Sequence, residues 1–196
     1  MNTTDLLVEY LIVGAVADIW LALLVLAVIP FNSTALPSIV DSADKLSALL
    51  VIPFLAITYV LGGVMNFVAP RLLRAQKRFR DELFHKAGWN YNDARGLLFQ
   101  KASPDAMSRF RSDGHIIRVA RTSTLNFLCL AAALLVHVRS YPLSVVIGFI
   151  VCILVSIASF FQWTARYKSN YTEMLEIYKV LRVEFEREQR GKKEGK

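Results

Sequence analysis

A basic segment, residues 71–121, separates two pairs of long apolar runs, and it constrains the fold more than any other feature of the chain. It holds twelve of the 23 Lys and Arg residues. A segment with this much charge is too costly to place in the hydrocarbon core of a bilayer. The apolar runs on either side must therefore start and end on defined sides of a membrane. This pattern predicts two membrane hairpins joined by a basic loop.

The apolar runs have the length and composition of transmembrane helices. Of the 196 residues, 55% are hydrophobic, whereas a soluble domain has about 45–50% apolar residues. A helix that rises ~1.5 Å per residue crosses the core in about 20 residues. The sequence predicts an all-α, polytopic membrane protein with four transmembrane helices, a basic helical cytoplasmic loop and a cytoplasmic C-terminal helix. The predicted parts are a first transmembrane hairpin (1–70), the basic loop (71–121), a second hairpin (122–165), and a helix with a disordered tail (166–196).

The distribution of cations predicts the orientation. Nine further Lys and Arg residues follow the last apolar run, so only Lys45 and Arg139 fall on the other side of a four-span chain. Because cytoplasmic loops are enriched in Lys and Arg, both termini are expected in the cytoplasm. The two cysteines lie inside apolar runs and give no disulfide pattern. With no eukaryotic targeting motif, the predicted location is a bacterial inner (plasma) membrane, which the chain crosses as a multi-pass protein.

Asp18 is the most unusual residue of the predicted spans, because it lies near the middle of the first one. An acid at this depth is costly and normally faces protein or water. Two interpretations stay open. Asp18 has a proton or cation role, or it hydrogen-bonds to hydroxyl groups and locks the first span in place. The candidate hydroxyls are those of Thr58, Ser156 and Ser159.

Asn66 and Asn126 form a second polar pair. Each lies five residues inward of a cation at the membrane boundary, Arg71 and Arg121 respectively, so both lie at the same depth. This depth predicts a side-chain hydrogen bond between the second and third spans. The alternative is a polar pore lining.

The fourth span has small residues at every fourth position, namely Gly148, Cys152 and Ser156. This spacing lets helix backbones approach closely in lipid. The sequence leaves open whether the partner helix belongs to the same chain or to a second copy.

The last apolar run continues without a proline or glycine until Gly191, which predicts a long helix and then a disordered tail. Apolar residues follow a heptad spacing on this helix, which predicts pairing of helices in a homo-oligomer. The alternative is packing against a helix predicted for residues 71–87 of the same chain. The seam contains Tyr167, Tyr171, Met174, Tyr178, Leu181 and Phe185.

Local signals divide the basic segment into short helices. Pro70 is expected to open a helix that Gly88 ends, and Ser103-Pro104 is expected to open another. Ser112-Asp113-Gly114 predicts a turn, with the third membrane helix starting near His115.

The basic segment mixes cations with aromatic residues, which suits three kinds of partner. Anionic membrane lipids are the first, a cytosolic protein is the second, and nucleic acid, at most indirectly bound, is the third. No cofactor or metal is expected, since the three histidines are isolated and no nucleophile motif occurs. We therefore expect a protein that is not an enzyme. The candidate partner-binding or headgroup-binding residues are Arg74, Lys77, Arg78, Arg80, Trp89, Arg109 and Arg111.

This plan is similar to that of small membrane subunits of bacterial phage-defence systems, and it most resembles the membrane component (KwaA) of the Kiwa system. The resemblance covers the whole chain as architecture, through the basic loop 71–121, the tight link Arg139–Pro142 and the tail Tyr167–Phe185. It implies an oligomer that senses membrane disturbance and works with a cytosolic effector. Immunity proteins against pore-forming toxins share the plan. Two function classes follow: a sensor or scaffold, or an ion-conducting pore or membrane-depolarising effector.

Overall fold

The fold is all-helical over the part of the chain that the computed structural model describes, residues 3–28, 36–73, 75–138 and 142–194. This confirms the predicted all-α class. Four of the helices, the first, second, fifth and sixth, are long and apolar enough to cross a membrane, which confirms the predicted number of spans. The described helices are α1 (Thr3–Val28), α2 (Leu36–Leu72), α3 (Ala75–Lys86), α4 (Tyr91–Lys101), α5 (Pro104–Val136) and α6 (Pro142–Glu194).

The chain divides into two compact units. Unit 1 contains residues 1–72 and 118–160, and unit 2 contains residues 73–117 and 161–196. The charges divide along the same boundary. Unit 1 has five Lys and Arg against five Asp and Glu, whereas unit 2 has 18 against 11 and so carries the whole net charge of +7. The two apolar hairpins thus form a unit without net charge, and the basic parts of the chain form the other.

The second helix ends later than the sequence predicts. Pro70 was expected to open a new helix, but α2 includes it and continues to Leu72. The Arg71 side chain contacts the preceding turn of α2, because its Nη1 donates to the carbonyl oxygen of Phe67 at 2.7 Å. The guanidinium also stacks 3.3 Å from the centre of the Phe67 ring. Both contacts lie within α2, so the Arg71 side chain folds back along its own helix.

The predicted turn at 112–114 is wrong, because α5 passes through it as one helix from Pro104. One glycine inside a helix costs only about 1 kcal/mol, and contacts on either side of Gly114 offset this cost. Asp113 pairs with Arg166 at 3.5 Å, and Ile117 is buried. The predicted helix start at Ser103-Pro104 is confirmed, since Ser103 Oγ accepts from the backbone N–H of Ala106 at 3.2 Å. It is the start of α5 itself and not of a separate short helix.

The sixth helix runs for 53 residues, from Pro142 to Glu194. The helix therefore includes residues 191–194 of the tail that the sequence predicts to be disordered. The link Arg139–Tyr141 and the last two residues lie outside the described part of the chain.

Candidate functional site

The first two helices of unit 1 pack backbone to backbone at two glycines. A Cβ atom on Gly14 would overlap the carbonyl oxygen of Thr58, and a Cβ on Gly62 would overlap that of Tyr10. Only glycine fits such a contact. Close approach of backbones is the usual way in which membrane helices gain packing energy without a hydrophobic driving force. Gly14 and Gly62 therefore determine how α1 and α2 fit together.

Asp18 lies beside this contact and hydrogen-bonds to the neighbouring helix. The Thr58 hydroxyl donates to Asp18 Oδ2, and Thr58 is itself buried. Thr58 was one of three hydroxyl groups that the sequence offered as partners. The bond locks α1 to α2 in the apolar layer, where a polar group without a partner is costly.

A larger polar network joins α1, α2 and α5. Glu9 is 3% exposed, and its Oε1 lies 2.9 Å from Arg118 Nε. Asn66 donates to the same Oε1 at 3.1 Å, and the Thr122 hydroxyl donates to Asn66 Oδ1 at 2.7 Å. The Glu9 carboxylate thus accepts hydrogen bonds from side chains of two other helices, α2 and α5. Such a network is most stabilising when every member has a partner.

Asn126 crosses from α5 to α1. Its amide donates to the carbonyl oxygen of Val13 at 2.8 Å, and its Oδ1 accepts from the indole N–H of Trp20 at 3.3 Å. The predicted bond between spans two and three does exist, but it joins Asn66 to Thr122. Asn66 and Asn126 do not bond to each other, because each turns towards α1. Equal depth placed them at the same level but did not determine which neighbour each one faces.

The small residues of the fourth span face α5 of the same chain. Ser156 Oγ donates to the carbonyl oxygen of Thr124 at 3.0 Å. A Cβ on Gly148 would meet Leu134 Cδ1 at 3.3 Å, and Cys152 is buried. The sequence left the partner of this ridge open, and the structure places an intramolecular partner there.

In unit 2, the helical hairpin of α3 and α4 packs against α6. The turn contains Gly88 at φ +74°, a left-handed conformation that favours glycine. Asn90 then caps α4, with its side chain accepting from the N–H of Asn92 at 2.9 Å. The packed core contains Phe84, Ala94, Leu175 and Tyr178.

Aromatic rings from all three helices meet in this core. Trp89 lies edge-on to Tyr178, with centroids 5.0 Å apart. Tyr91 lies edge-on to Phe84 at 5.4 Å and contacts Tyr171 at 5.7 Å. Edge-to-face pairs each add about 0.5–1.5 kcal/mol to the energy of burial. Unit 2 therefore has a core of its own, rich in aromatic residues.

Three residues of the predicted heptad seam contribute to this core. Tyr171, Met174 and Tyr178 pack against the α3–α4 hairpin of the same chain, which is the intramolecular alternative that the sequence left open. Tyr167 stacks on Tyr171 at 4.5 Å. Leu181 is partly buried, and Phe185 is 38% exposed. The role of the seam in joining subunits stays a prediction, and these three side chains are already covered.

An open cleft of about 920 Å³ lies along the α3–α4 turn. Aromatic side chains of Phe84, Trp89 and Tyr91 line it together with Arg80. The guanidinium of Arg80 stacks 4.3 Å from the Tyr91 ring centre and pairs with Asp81 at 2.7 Å. Partial burial opposes ionisation of Arg80, but the hydrogen bond and charge of Asp81 outweigh it and raise its pKa above the ordinary value. The cleft combines rings, amides and charges of both signs.

The predicted partner-binding cations form an exposed part of unit 2. Arg78, Arg109 and Arg111 are exposed, whereas Arg80 and Trp89 are partly buried in the cleft. Arg74 and the side chain of Lys77 lie outside the described residues. Among the residues that the structure describes, no group of three or more His, Cys, Asp and Glu side chains could hold a metal ion.

The sequence analysis did not single out Glu9 as a candidate site residue. The membrane-compatible part of α1 begins at Leu6, so Glu9 lies within it. The signal was present: an acid at the end of an apolar run requires a partner, and Arg118 lies at the start of another run. Chain separation hid the pair, since the two residues are 109 positions apart in the sequence.

These features define a class: an α-helical protein with four helices able to span a membrane, and with a separate basic unit. No family model, curated protein or solved structure matches the chain.

Proposed function

We propose that the protein is a non-enzymatic, membrane-embedded scaffold or sensor whose unit 2 recruits a cytosolic protein. The observation that carries this proposal is the division of the chain. Unit 1 is apolar with no net charge, and unit 2 holds the net charge of +7 together with the aromatic cleft. Aromatic residues and arginine are the residue types enriched at protein interfaces.

The polar side chains of unit 1 support a scaffold. Asp18, Asn66 and Asn126 each bond to another helix of the same chain. Side chains that hold helices together in this way stabilise one arrangement of the spans. A water-filled path through one chain would require polar groups directed into a common lumen.

The proposed setting is a bacterial inner membrane with both termini in the cytoplasm. The charge of unit 2 supports it, because cationic segments are retained on the cytoplasmic side. Anionic headgroups are then additional partners for exposed cations such as Arg109 and Arg111. The architectural resemblance to Kiwa membrane components extends the proposal to an oligomer in phage defence, with a soluble effector as the partner.

Photo-crosslinking in cells tests the recruitment. A photoreactive residue replaces Asn92 in the cleft, and a control replaces Leu154, which is 60% exposed on unit 1. We expect a soluble protein attached at position 92 but not at 154, and its loss when Arg109→Glu and Arg111→Glu are combined. Crosslinking to lipid alone, or to no soluble protein at either position, would contradict the proposal.

A second candidate function, an ion-conducting pore, is favoured by one observation: Asp18 stays partly exposed near mid-span. The test is ion flux through liposomes that contain the purified protein. A pore predicts a flux that Asp18→Asn changes. A scaffold predicts no flux above that of empty liposomes.

A further inference from the structure

Two arginines of unit 2 are each held on an aromatic ring of the α3–α4 turn. The guanidinium of Arg80 lies 4.3 Å from the ring centre of Tyr91, and that of Arg182 lies 5.5 Å from the ring centre of Trp89. Both rings line the open cleft. Stacking on a ring restricts a long side chain, so less entropy remains to be lost when a ligand binds. Both guanidinium groups are therefore preorganised beside one cleft.

The rings that support these guanidinium groups have other neighbours in the core of unit 2. Tyr91 meets Phe84 edge-on and also contacts Tyr171, and Trp89 meets Tyr178 edge-on. Single-stranded nucleic acid binds chiefly by stacking its bases on open ring faces. Because the rings are packed in this way, the cleft offers a ligand the edges of guanidinium groups rather than open ring faces. That chemistry selects an anion.

Each guanidinium now pairs with an acid of its own helix. Arg80 lies 2.7 Å from Asp81, and Arg182 lies 2.9 Å from Glu186. The two acid side chains are 52% and 53% exposed, and an exposed ion pair adds at most about 1 kcal/mol to stability. A guanidinium has five N–H donors, of which Arg80 uses Nε and Nη2 for Asp81. A carboxylate of another molecule can thus bind beside the local acid or replace it.

The charge around the cleft favours an acidic ligand. Unit 2 has 18 Lys and Arg against 11 Asp and Glu, so its field attracts anions. Asp81 and Glu82, the two acids among the described residues of the cleft, are exposed. Asn92 also lines the cleft, and its amide group offers both a donor and an acceptor to a peptide bond. A carboxylate carried by a polypeptide matches both features.

From this arrangement we infer that the cleft beside Arg80 and Arg182 binds an acidic segment of the recruited protein. Carboxylates of that segment bond to the two guanidinium groups, as in other acidic motifs that arginine clusters recognise. Asp81 and Glu186 compete with them for the same donors. The inference rests on the proposed function and specifies the chemistry of the partner.

Binding of a synthetic acidic peptide is the first test. The full chain is placed in nanodiscs of phosphatidylcholine, which has no net charge, and the probe is a fluorescein-labelled oligoglutamate peptide. We expect saturable binding by fluorescence anisotropy, weakened by added salt, and no binding of an oligoglutamine peptide of the same length. Equal binding of the two peptides, or none of either, would overturn the inference.

Neutral variants of the arginines locate the site. Arg80→Gln and Arg182→Gln should each weaken oligoglutamate binding roughly tenfold. The matched control is Arg95→Gln, because Arg95 also stacks on a ring, that of Phe99 at 5.4 Å, but this ring does not line the cleft. It should weaken binding less than about threefold, since only the general field of unit 2 changes. Equal losses for all three variants would refute a defined site.

Neutral variants of the competing acids should act in the opposite direction. Asp81→Asn and Glu186→Gln should each tighten oligoglutamate binding by about twofold to fivefold, because each releases guanidinium donors from an exposed ion pair. A gain of affinity cannot result from damage to the fold. Glu184→Gln is the control, since Glu184 is exposed on α6 and the same charge is removed. Equal tightening by Glu184→Gln and Glu186→Gln would contradict competition for Arg182.

Competition experiments distinguish an acidic polypeptide from other polyanions. We expect unlabelled oligoglutamate to displace the probe better than polyuridylate RNA or phosphatidylglycerol vesicles do at equal charge. Better displacement by the RNA or the vesicles would overturn the inference. A chain that fails to bind oligoglutamate but captures a soluble protein at position 92 would refute the acidic ligand and leave recruitment standing. A chain that binds oligoglutamate but captures no soluble protein would refute recruitment and support the site.

Discussion

Glu9 and Arg118 form a two-pronged ion pair across 109 residues of sequence. Arg118 Nε lies 2.9 Å from Oε1, and Arg118 Nη2 lies 3.0 Å from Oε2. The Glu9 side chain is 2% exposed, and that of Arg118 is 33% exposed. The acid is thus buried and the base reaches the surface. The desolvation cost falls mainly on Glu9, which makes Glu9 dependent on its partner.

Removing the base should therefore cost more than removing the acid. We expect Arg118→Met to lower the free energy of unfolding by about 2–4 kcal/mol, because it leaves a buried carboxylate without its counter-ion. Glu9→Gln should cost less, and the double variant should lose less than the sum of the two. Arg71→Met is the control, since Arg71 is exposed and bonds within its own helix. Unfolding in mixed detergent micelles measures all four, and equal losses for Arg118→Met and Arg71→Met would contradict the assignment.

Three glycines give a sharp test of the α1–α2 contact. Gly14→Ala and Gly62→Ala would each place a methyl group onto a backbone carbonyl of the other helix, whereas Gly63→Ala meets nothing within 4 Å. We expect the first two to lower thermal stability strongly. Gly63→Ala should be neutral or stabilising by up to about 1 kcal/mol, since alanine is the better helix former. The midpoint of thermal unfolding in detergent measures this. Similar midpoints for alanine at 14 and 63 would refute the close contact.

Some features of this structure could be predicted from the sequence and others could not, and the reasons are physical. Apolar run length predicted the four membrane-compatible helices, because a bilayer imposes one length on any helix that crosses it. Helix ends were less predictable, because α2 continues through Pro70 and α5 continues through Gly114. The hydrogen-bond partners of side chains on different helices were the hardest feature to predict. Asn66 was expected to bond to α5 and does so, but through Thr122, and the choice depends on helix rotation, which depth does not determine.

The orientation of the chain is a separate prediction. In a background without native cysteines, we expect Asn92→Cys, in unit 2, to resist a membrane-impermeant maleimide in intact cells and to react after permeabilisation. Asp41→Cys, on the other side of the second predicted span, should react in both. The physical reason is the retention of cationic segments in the cytoplasm, given the net charge of +7 on unit 2. Labelling at position 92 and protection at position 41 in intact cells would show that the chain has the opposite orientation.

The seam on α6 should hold the α3–α4 hairpin in place. Tyr178 is 6% exposed and contacts Trp89 edge-on, whereas Val180, two residues later, is 60% exposed. Tyr178→Ala should therefore remove about 3–5 kcal/mol of packing energy from unit 2, and Val180→Ala should change little. Limited proteolysis should cut residues 75–101 rapidly in the first variant and slowly in the second.

Truncation after Arg166 extends this test, because it removes the whole seam. If the seam acts only through the intramolecular packing of Tyr171, Met174 and Tyr178, we expect the hairpin to become protease-sensitive while the number of subunits per detergent particle stays the same. Fewer subunits per particle with a protected hairpin would instead assign the seam to contacts between subunits. Phe185→Ala separates the two roles further, because Phe185 is 38% exposed and lies beyond the packed core. A change in mass on that substitution alone would show that the end of the seam joins subunits while its beginning holds the hairpin.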